Sequence, residues 1–237
     1  MTELERLSQW IRGSENIVFF GGAGVSTESG LKDFRSVDGL YREKYEYPPE
    51  VMLSHSFFMA NPEAFYRFYR DKLMVKGVKP NVTHYRLAEL EREGKLRAIV
   101  TQNIDGLHQA AGSRNVLELH GSTERYTCMR CHRHFGAEAL EGGENVPRCA
   151  CGGIIRPDVV LYEEGLDEQV LDAAIEAIRN ADVLIIGGTS LMVYPAAGLV
   201  DIYRGNKLAL INRDATPMDS RADLVLHESL GRVFENI

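Results

Sequence analysis

Short runs of consecutive apolar residues recur along this chain, and stretches with helical spacing lie between them. Ile17–Phe20, Leu96–Thr101, Val116–His120, Val183–Ile186, Leu208–Ile211 and Leu224–Leu226 are too short for helices, which predicts strands, with the most apolar of them buried on both faces. Leu4, Leu7, Trp10 and Ile11 give Thr2–Arg12 an apolar helical face. Leu87 and Leu90 do the same for Thr83–Glu93, with Thr83 as the cap, Gly94 as the stop and His84 as a packed or capping residue. Further helices are expected over Leu166–Ala181, over Val193–Tyr203 and at the C-terminal end. This alternation predicts an α/β fold with a Rossmann-like parallel sheet and helices on both faces.

The pattern breaks twice. Residues 36–72 are rich in aromatics and interrupted by Pro48-Pro49 and Pro62, which predicts a small helical module whose rings serve mainly as core. Residues 122–155 contain all four cysteines, as Cys128-x-x-Cys131 and Cys149-x-Cys151 with 17 residues between the pairs. Two close pairs predict a four-thiolate tetrahedral zinc site with no open position, so the metal holds a small module together. His132 and His134 stand nearby as exposed histidines. The Rossmann-like domain then comprises residues 1–35, 73–121 and 156–237, with Ile154–Glu163 bringing the chain back to the main sheet.

The candidate chemistry sits at strand ends. After Phe20 come Gly21, Gly22, Ala23 and Gly24, then a short polar helix starting near Ser26 and Thr27. Glycines let the backbone turn and approach a ligand closely, and the N–H groups at a helix start point at a pyrophosphate. Read as G-x-G-x-x-G, the loop has Thr27 in place of the third glycine, and no acidic residue closes a second strand about 20 residues on, which argues against ordinary hydride transfer. Gln102-Asn-Ile-Asp105, Gly188-Thr-Ser190 and Asn212-Arg213 also end strands, where α/β sheets bind ligands, and the last two suit the ADP half of a dinucleotide. His120 ends another; an imidazole with a pKa of about 6.5 is well placed to move a proton near neutrality, although a lone histidine there is ordinarily structural.

Bulk composition narrows the classes. The 237 residues suffice for one substantial domain carrying small modules, and the net charge of −7 disfavours nucleic-acid binding and favours basic partners. No apolar stretch approaches a membrane span and none of signal-peptide length opens the chain, so a cytoplasmic protein without membrane or direct nucleic-acid partners is expected. Cysteines confined to one segment argue against a secreted disulfide framework.

Four blocks taken together resemble one family. Gly22-Ala-Gly-Val-Ser-Thr-Glu-Ser-Gly-Leu-Lys-Asp-Phe-Arg35 is similar to the sirtuin signature G-A-G-x-S-x-x-S-G-I-P-D-F-R, with Leu31 and Lys32 in place of Ile-Pro. Thr101-Gln-Asn-Ile-Asp-Gly-Leu-His108 matches the second signature, His120-Gly121 the third, and Gly188-Thr-Ser-Leu-x-Val-x-Pro195 the fourth. The resemblance spans nearly the whole chain and implies an NAD-dependent protein deacylase of bacterial type, using NAD as co-substrate and one structural zinc. It implies cofactor contacts from Gly22, Ala23, Gly24, Ser26, Thr27, Asp33, Phe34 and Arg35; from Gln102, Asn103, Ile104, Asp105 and His120; and from Gly188, Thr189, Ser190, Asn212, Arg213, Leu230 and Gly231. Asp105 would accept from the nicotinamide carboxamide, and His120, with Asn103, would be catalytic.

The same resemblance implies that an acyl-lysine protein or peptide pairs with the segment containing Val159, Val160 and Tyr162 and passes Val193. The products would be nicotinamide, free lysine and O-acyl-ADP-ribose. Relatives that take acyl groups ending in a carboxylate carry Tyr-x-x-Arg; here Tyr69 is followed by Lys72, which lacks the bidentate fork, so acetyl or another uncharged acyl is expected. Glu163 replaces a common glycine and is expected to alter peptide preference. Cys149-x-Cys151 is one residue shorter than the usual pair. The alternatives are a non-catalytic NAD or ADP-ribose binding module and a mono-ADP-ribosyltransferase on the same fold.

Overall fold

The computed structural model describes residues 1–33, 45, 47–74, 77–142 and 145–237. Helix α1 (Glu3–Arg12) starts at a capping box, in which the Glu5 N–H donates to the Thr2 hydroxyl and the Thr2 N–H to the Glu5 carboxylate. It leads to β1 (Ile17–Gly21), buried throughout. Next come two 3-10 turns, Ala23–Val25 and Thr27–Ser29, then α2 (Pro49–Met52), α3 (His55–Ala60), α4 (Pro62–Lys72), α5 (Val82–Arg92), β2 (Leu96–Thr101), α6 (Leu107–Ala110) and β3 (Val116–Glu118). Strands β4 (Gly121–Cys128), β5 (His134–Phe135) and β6 (Ile155–Val159) follow. The chain finishes with α7 (Glu168–Asn180), β7 (Val183–Gly187), β8 (Leu208–Ile211), β9 (Leu224–Leu226) and α8 (Leu230–Phe234).

Six strands form one sheet in the order β3-β2-β1-β7-β8-β9, with every neighbouring pair parallel. Each continuous apolar run splits between two cores. Val18, Phe20, Val100, Leu184 and Ile186 pack towards Ala174 and Ile178 of α7. Ile17, Phe19, Ile99 and Ile185 pack with Leu7 of α1, Leu87 of α5 and Phe234 of α8. The strand order reverses between β1 and β7, the switch point at which such sheets open a crevice beyond their carboxyl ends.

Four local expectations are corrected. The polar helix after β1 is the pair of 3-10 turns, and the Ser26 N–H closes the first of them on the Ala23 carbonyl. The cap of α5 is Asn81, with Thr83 buried inside the first turn; His84 completes the cap by accepting from the Asn81 N–H through Nδ1 (3.2 Å). Residues Ala196–Ile202 form a 3-10 helix after a cis Tyr194-Pro195 bond, in place of an α-helix over Val193–Tyr203. Finally, β6 does not join the main sheet. It pairs antiparallel with β4 in a separate sheet of order β5-β4-β6. The alternation of buried Ile155, Pro157 and Val159 with half-buried Arg156 and Asp158 marks a strand covered on one face.

That second sheet and the helical module share a core. Phe58, Phe65, Tyr66 and Tyr69 of α3 and α4 pack with Tyr126, Cys128, Cys149, Ile155 and Leu161. Two buried hydroxyls are satisfied across the joint, Tyr66 donating to the Ile155 carbonyl and Tyr69 pairing with the Tyr126 hydroxyl at 3.2 Å. Phe58, Phe65, Tyr66, Phe68 and Tyr69 are therefore core, as expected for most of the module's rings, while Tyr47 is exposed.

The cysteines close the far end of this unit. Cys128 Sγ is 3.5 Å from Cys151 Sγ, Cys131 Sγ is 3.7 Å from Cys149 Sγ, and all four lie within 4.8 Å of one another. Sulfurs about 2.3 Å from a tetrahedral zinc are roughly 3.8 Å apart, so the donor set fits the ion. The shorter second pair reaches because Gly152 takes φ +83° and Gly153 passes so close that a Cβ there would lie 2.8 Å from Cys128 Sγ. No histidine joins the cluster among the described residues.

Zinc analysis is expected to give one ion per chain. Chelation or Cys128→Ser should melt the β4–β6 unit before the main sheet, measured by hydrogen exchange; unchanged protection of β4–β6 after zinc loss would contradict this. Gly121, at φ +76°, lies where a Cβ would be 1.9 Å from the Asp158 carbonyl oxygen. Gly121→Ala is expected to cost about 3 kcal/mol or more and to lower Tm by roughly 6–12 °C in calorimetry.

Candidate active site

Four strand ends converge at the switch point. The loop after β2 lies in their midst: the Gln102 N–H donates to the Gly21 carbonyl of β1, the Leu119 N–H to the Thr101 carbonyl, and both the N–H and hydroxyl of Thr123 to the Ile104 carbonyl (2.9 Å each). The side chains complete the knot. Gln102 Nε2 donates to Thr189 Oγ1 (3.0 Å), and Asn103 Nδ2 donates to Ser26 Oγ (3.1 Å), which itself donates to Asp105 Oδ2 (2.6 Å). Asp105 Oδ1 accepts from the Leu107 N–H, holding the carboxylate in one orientation. Ser26 thus joins Asn103 and Asp105, distant from it in the chain, in one polar cluster.

His120 stands beside it on the turn between β3 and β4, half-buried. Its Nδ1 lies 2.9 Å from the Gln102 carbonyl oxygen, an acceptor only, so Nδ1 carries the proton and neutral His120 presents Nε2 as a base. Burial lowers its pKa from the ordinary imidazole value, against an opposing contribution from the Gln102 hydrogen bond. Gly121 follows because the positive φ and the Asp158 carbonyl leave no room for a side chain.

The glycines of the first loop also permit a close approach within the protein. A Cβ on Gly24 would lie 2.7 Å from Gly188 Cα, and one on Gly22 would lie 2.8 Å from Thr189 Cβ. The Gly24 N–H donates to the Gly188 carbonyl (2.8 Å). They let two loops of the protein touch, across the switch point. Next to that contact lies a cleft of about 300 Å³ whose walls include Gly24, Thr27, Asp33, Gly188, Asn212, Arg213 and Leu230. Ala23 is half-buried, Thr189 buried and Ser190 exposed. The Gly231 N–H is taken by the Glu28 carboxylate (2.7 Å), leaving Leu230 as the member of that pair facing the cleft. Phe34 and Arg35 lie outside the described residues.

Across from His120, the Val160 N–H donates to the His120 carbonyl (3.0 Å) and ties the segment after β6 to the base. Val159 is buried, Val160 half-buried and Tyr162 exposed. Val193 is half-buried, its carbonyl accepting from Ala197. Tyr69 is fully buried against Tyr126, away from any open surface, and Lys72 pairs with Asp71.

Three positioning residues escape motif reading. Asn81 Nδ2 donates to the Val25 carbonyl (2.8 Å) and to Ser29 Oγ (3.0 Å), clamping the loop after β1 to the start of α5. Burial pushes its partner His84 down to about 4, which keeps the accepting Nδ1 unprotonated. Glu164 gathers Arg156, the His55 ring and the Leu161 N–H (2.9 Å). Glu28 caps α8 through Gly231, as above. The signal for Asn81 was the Asn-x-Thr-His order at a helix start, readable as a capping box with the cap two residues earlier.

Comparisons with known proteins agree with this geometry. The model of the Sir2 family matches residues 22–195. An NAD-dependent protein deacetylase of Clostridium acetobutylicum is 55% identical over 241 residues, with 100% of this chain and 98% of the relative covered. One from Cutibacterium acnes is 52% identical, covering 98% and 96%. A solved Sir2 structure with deacetylated p53 peptide and 3'-O-acetyl ADP ribose superposes with a TM-score of 0.92 at 37% identity, covering 99% and 97%. A complex of Sir2 with p53 peptide and NAD+ gives 0.87 at 37% identity, covering 99% and 96%. With the family model spanning the glycine loop, the β2 loop, His120 and the cysteine cluster, this chain belongs to the Sir2 family.

Proposed function

We propose that this chain is an NAD-dependent protein-lysine deacetylase in which His120 is the general base. The observation that carries the reading is the fixed tautomer of His120: a half-buried imidazole that donates from Nδ1 to the carbonyl of Gln102, the residue before Asn103 of the Ser26–Asn103–Asp105 cluster, and so keeps Nε2 as its basic nitrogen. The cleft at Gly24, Asn212 and Leu230 would hold the adenosine side of NAD, with Gly188 in its wall and Thr189 and Ser190 following it in the chain. Gln102, Asn103, Ile104 and Asp105 would hold the nicotinamide side. NAD would supply an electrophilic ribose carbon and the acceptor of the acetyl group, and one water would supply the oxygen and protons that free the lysine amine, so that nicotinamide, free lysine and O-acetyl-ADP-ribose leave. His120 Nε2 takes a proton from a ribose hydroxyl, and the Gln102 carbonyl stabilises the imidazolium that results. Positioning of the two reactants by the surrounding loops can supply on the order of 7–11 kcal/mol.

The acetylated peptide enters from the segment after β6. Strand β6 is at the edge of its sheet, and the Val160 carbonyl and the Glu163 N–H and carbonyl have no partner among the described residues. An added strand uses such groups without regard to sequence. Tyr69 is buried and Lys72 carries no fork, which supports an uncharged acyl group. No helix among the described residues is long and apolar enough to cross a membrane. Four thiolates reserved for zinc suit a reducing compartment, and the net charge of −7 disfavours nucleic acid, so we place the enzyme in the cytoplasm acting on acetylated proteins.

Nicotinamide release with and without acetyl-peptide tests the assignment. Release that needs the acetyl group is expected; labelling of protein by NAD alone would favour ADP-ribosyl transfer, and NAD binding without release would favour a non-catalytic module. His120→Ala should lower deacetylation about 10²–10⁴-fold while NAD binding persists in calorimetry. Because burial lowers the His120 pKa, the basic form survives below the usual imidazole range, and the acid limb of kcat/KM should fall below about pH 6.5. Asn81→Asp keeps the helix cap but replaces the donor to Val25 and Ser29 with an acceptor. It should raise the Kd for NAD about 5–20-fold, with little change for peptide alone.

A further inference from the structure

A second opening adjoins the proposed peptide edge. A groove of about 500 Å³ lies between Tyr162 and the helical module, with Val51, Phe57, Ala60 and Tyr162 as its apolar lining and the exposed carboxylates of Glu50 and Glu163 beside them. Among the described residues no lysine, arginine or histidine lines it. The two sides are held together by backbone: the Tyr162 N–H donates to the Leu53 carbonyl and the His55 N–H to the Tyr162 carbonyl, 3.0 Å each.

Glu163 is the unusual member. It sits at φ +76°, a conformation suited to glycine, and the resemblance places a glycine there. Its carboxylate compensates by accepting from the Ser56 N–H (2.9 Å) and the Ser56 hydroxyl (2.5 Å), which lock the side chain over the groove and hold its pKa below the usual carboxylate range. The same residue offers its unpartnered N–H and carbonyl to a peptide backbone, so a strand pairing there carries its next side chains over the groove.

We propose that this groove is a subsite for a basic side chain flanking the acetyl-lysine, and that Glu163 is the specificity-determining residue. An apolar lining beside two carboxylates matches the aliphatic stem and charged head of lysine or arginine. The inference rests on the deacetylase reading and deepens it by naming the substrate class: acetylated segments rich in basic residues.

The test uses acetyl-lysine peptides carrying Lys, Gln or Glu at each flanking position in turn, with nicotinamide release giving KM. At one position the Lys peptide should show a KM about three-fold below the Gln peptide, the size expected of a solvent-exposed ion pair, and salt should erode the difference. Glu163→Gln retains an oxygen to accept from Ser56, and in that variant the ratio of the two KM values should fall to about one. A merely structural role would shift both KM values together and leave the ratio intact. Equal KM values across the wild-type panel, or a preference that survives Glu163→Gln, would overturn the proposal. Absence of release with every peptide would instead overturn the deacetylase reading, and the subsite with it.

Discussion

Polar backbone leaving the centre of a buried parallel sheet must find partners, and the way this protein satisfies it at the end of β2 organises the site. Residues 101–105 are bonded at once to β1 through Gly21, to the turn after β3 through Leu119 and His120, to β4 through Thr123, and to the loop after β7 through Thr189. An unpaired buried amide or carbonyl costs on the order of 1–3 kcal/mol, so four neighbours are held in place by the requirement to satisfy one loop. His120, Asn103 and Asp105 are positioned by that constraint.

The glycines serve the same end. Gly22 and Gly24 on one side and Gly188 on the other bring the loops after β1 and β7 into backbone contact at the point where strand order reverses. Side chains at these positions would push the loops apart and separate Ser26 from Asn103. Asn81 adds a clamp from outside the sheet, fixing both 3-10 turns through one side-chain amide.

The smaller half of the molecule is built on another logic. Its sheet is antiparallel, its core is aromatic, and its far end is closed by four thiols that fit a zinc ion. This unit places β6 at the edge of its sheet, next to the segment that joins His120. Glu164 reinforces the attachment by joining Arg156, His55 and the Leu161 backbone, while Glu163 accepts strain in exchange for the Ser56 contacts.

Apolar periodicity alone established the six main strands, and pairing of cysteines alone established the metal module, because both are short-range consequences of residue order. Motif order made the polar cluster and His120 legible as a family likeness. Tertiary structure decided the rest. Ile154–Glu163 reads locally as a return to the main sheet, but its alternating burial and its antiparallel partner β4 belong to the second. That the loop glycines also make room for another loop is set by the fold, since no sequence pattern reveals what lies across a crevice. Which nitrogen of His120 carries the proton, and that Asn81 supports the loop from outside the sheet, depend on contacts 18 and 56 residues away along the chain, and only folding brings those atoms together.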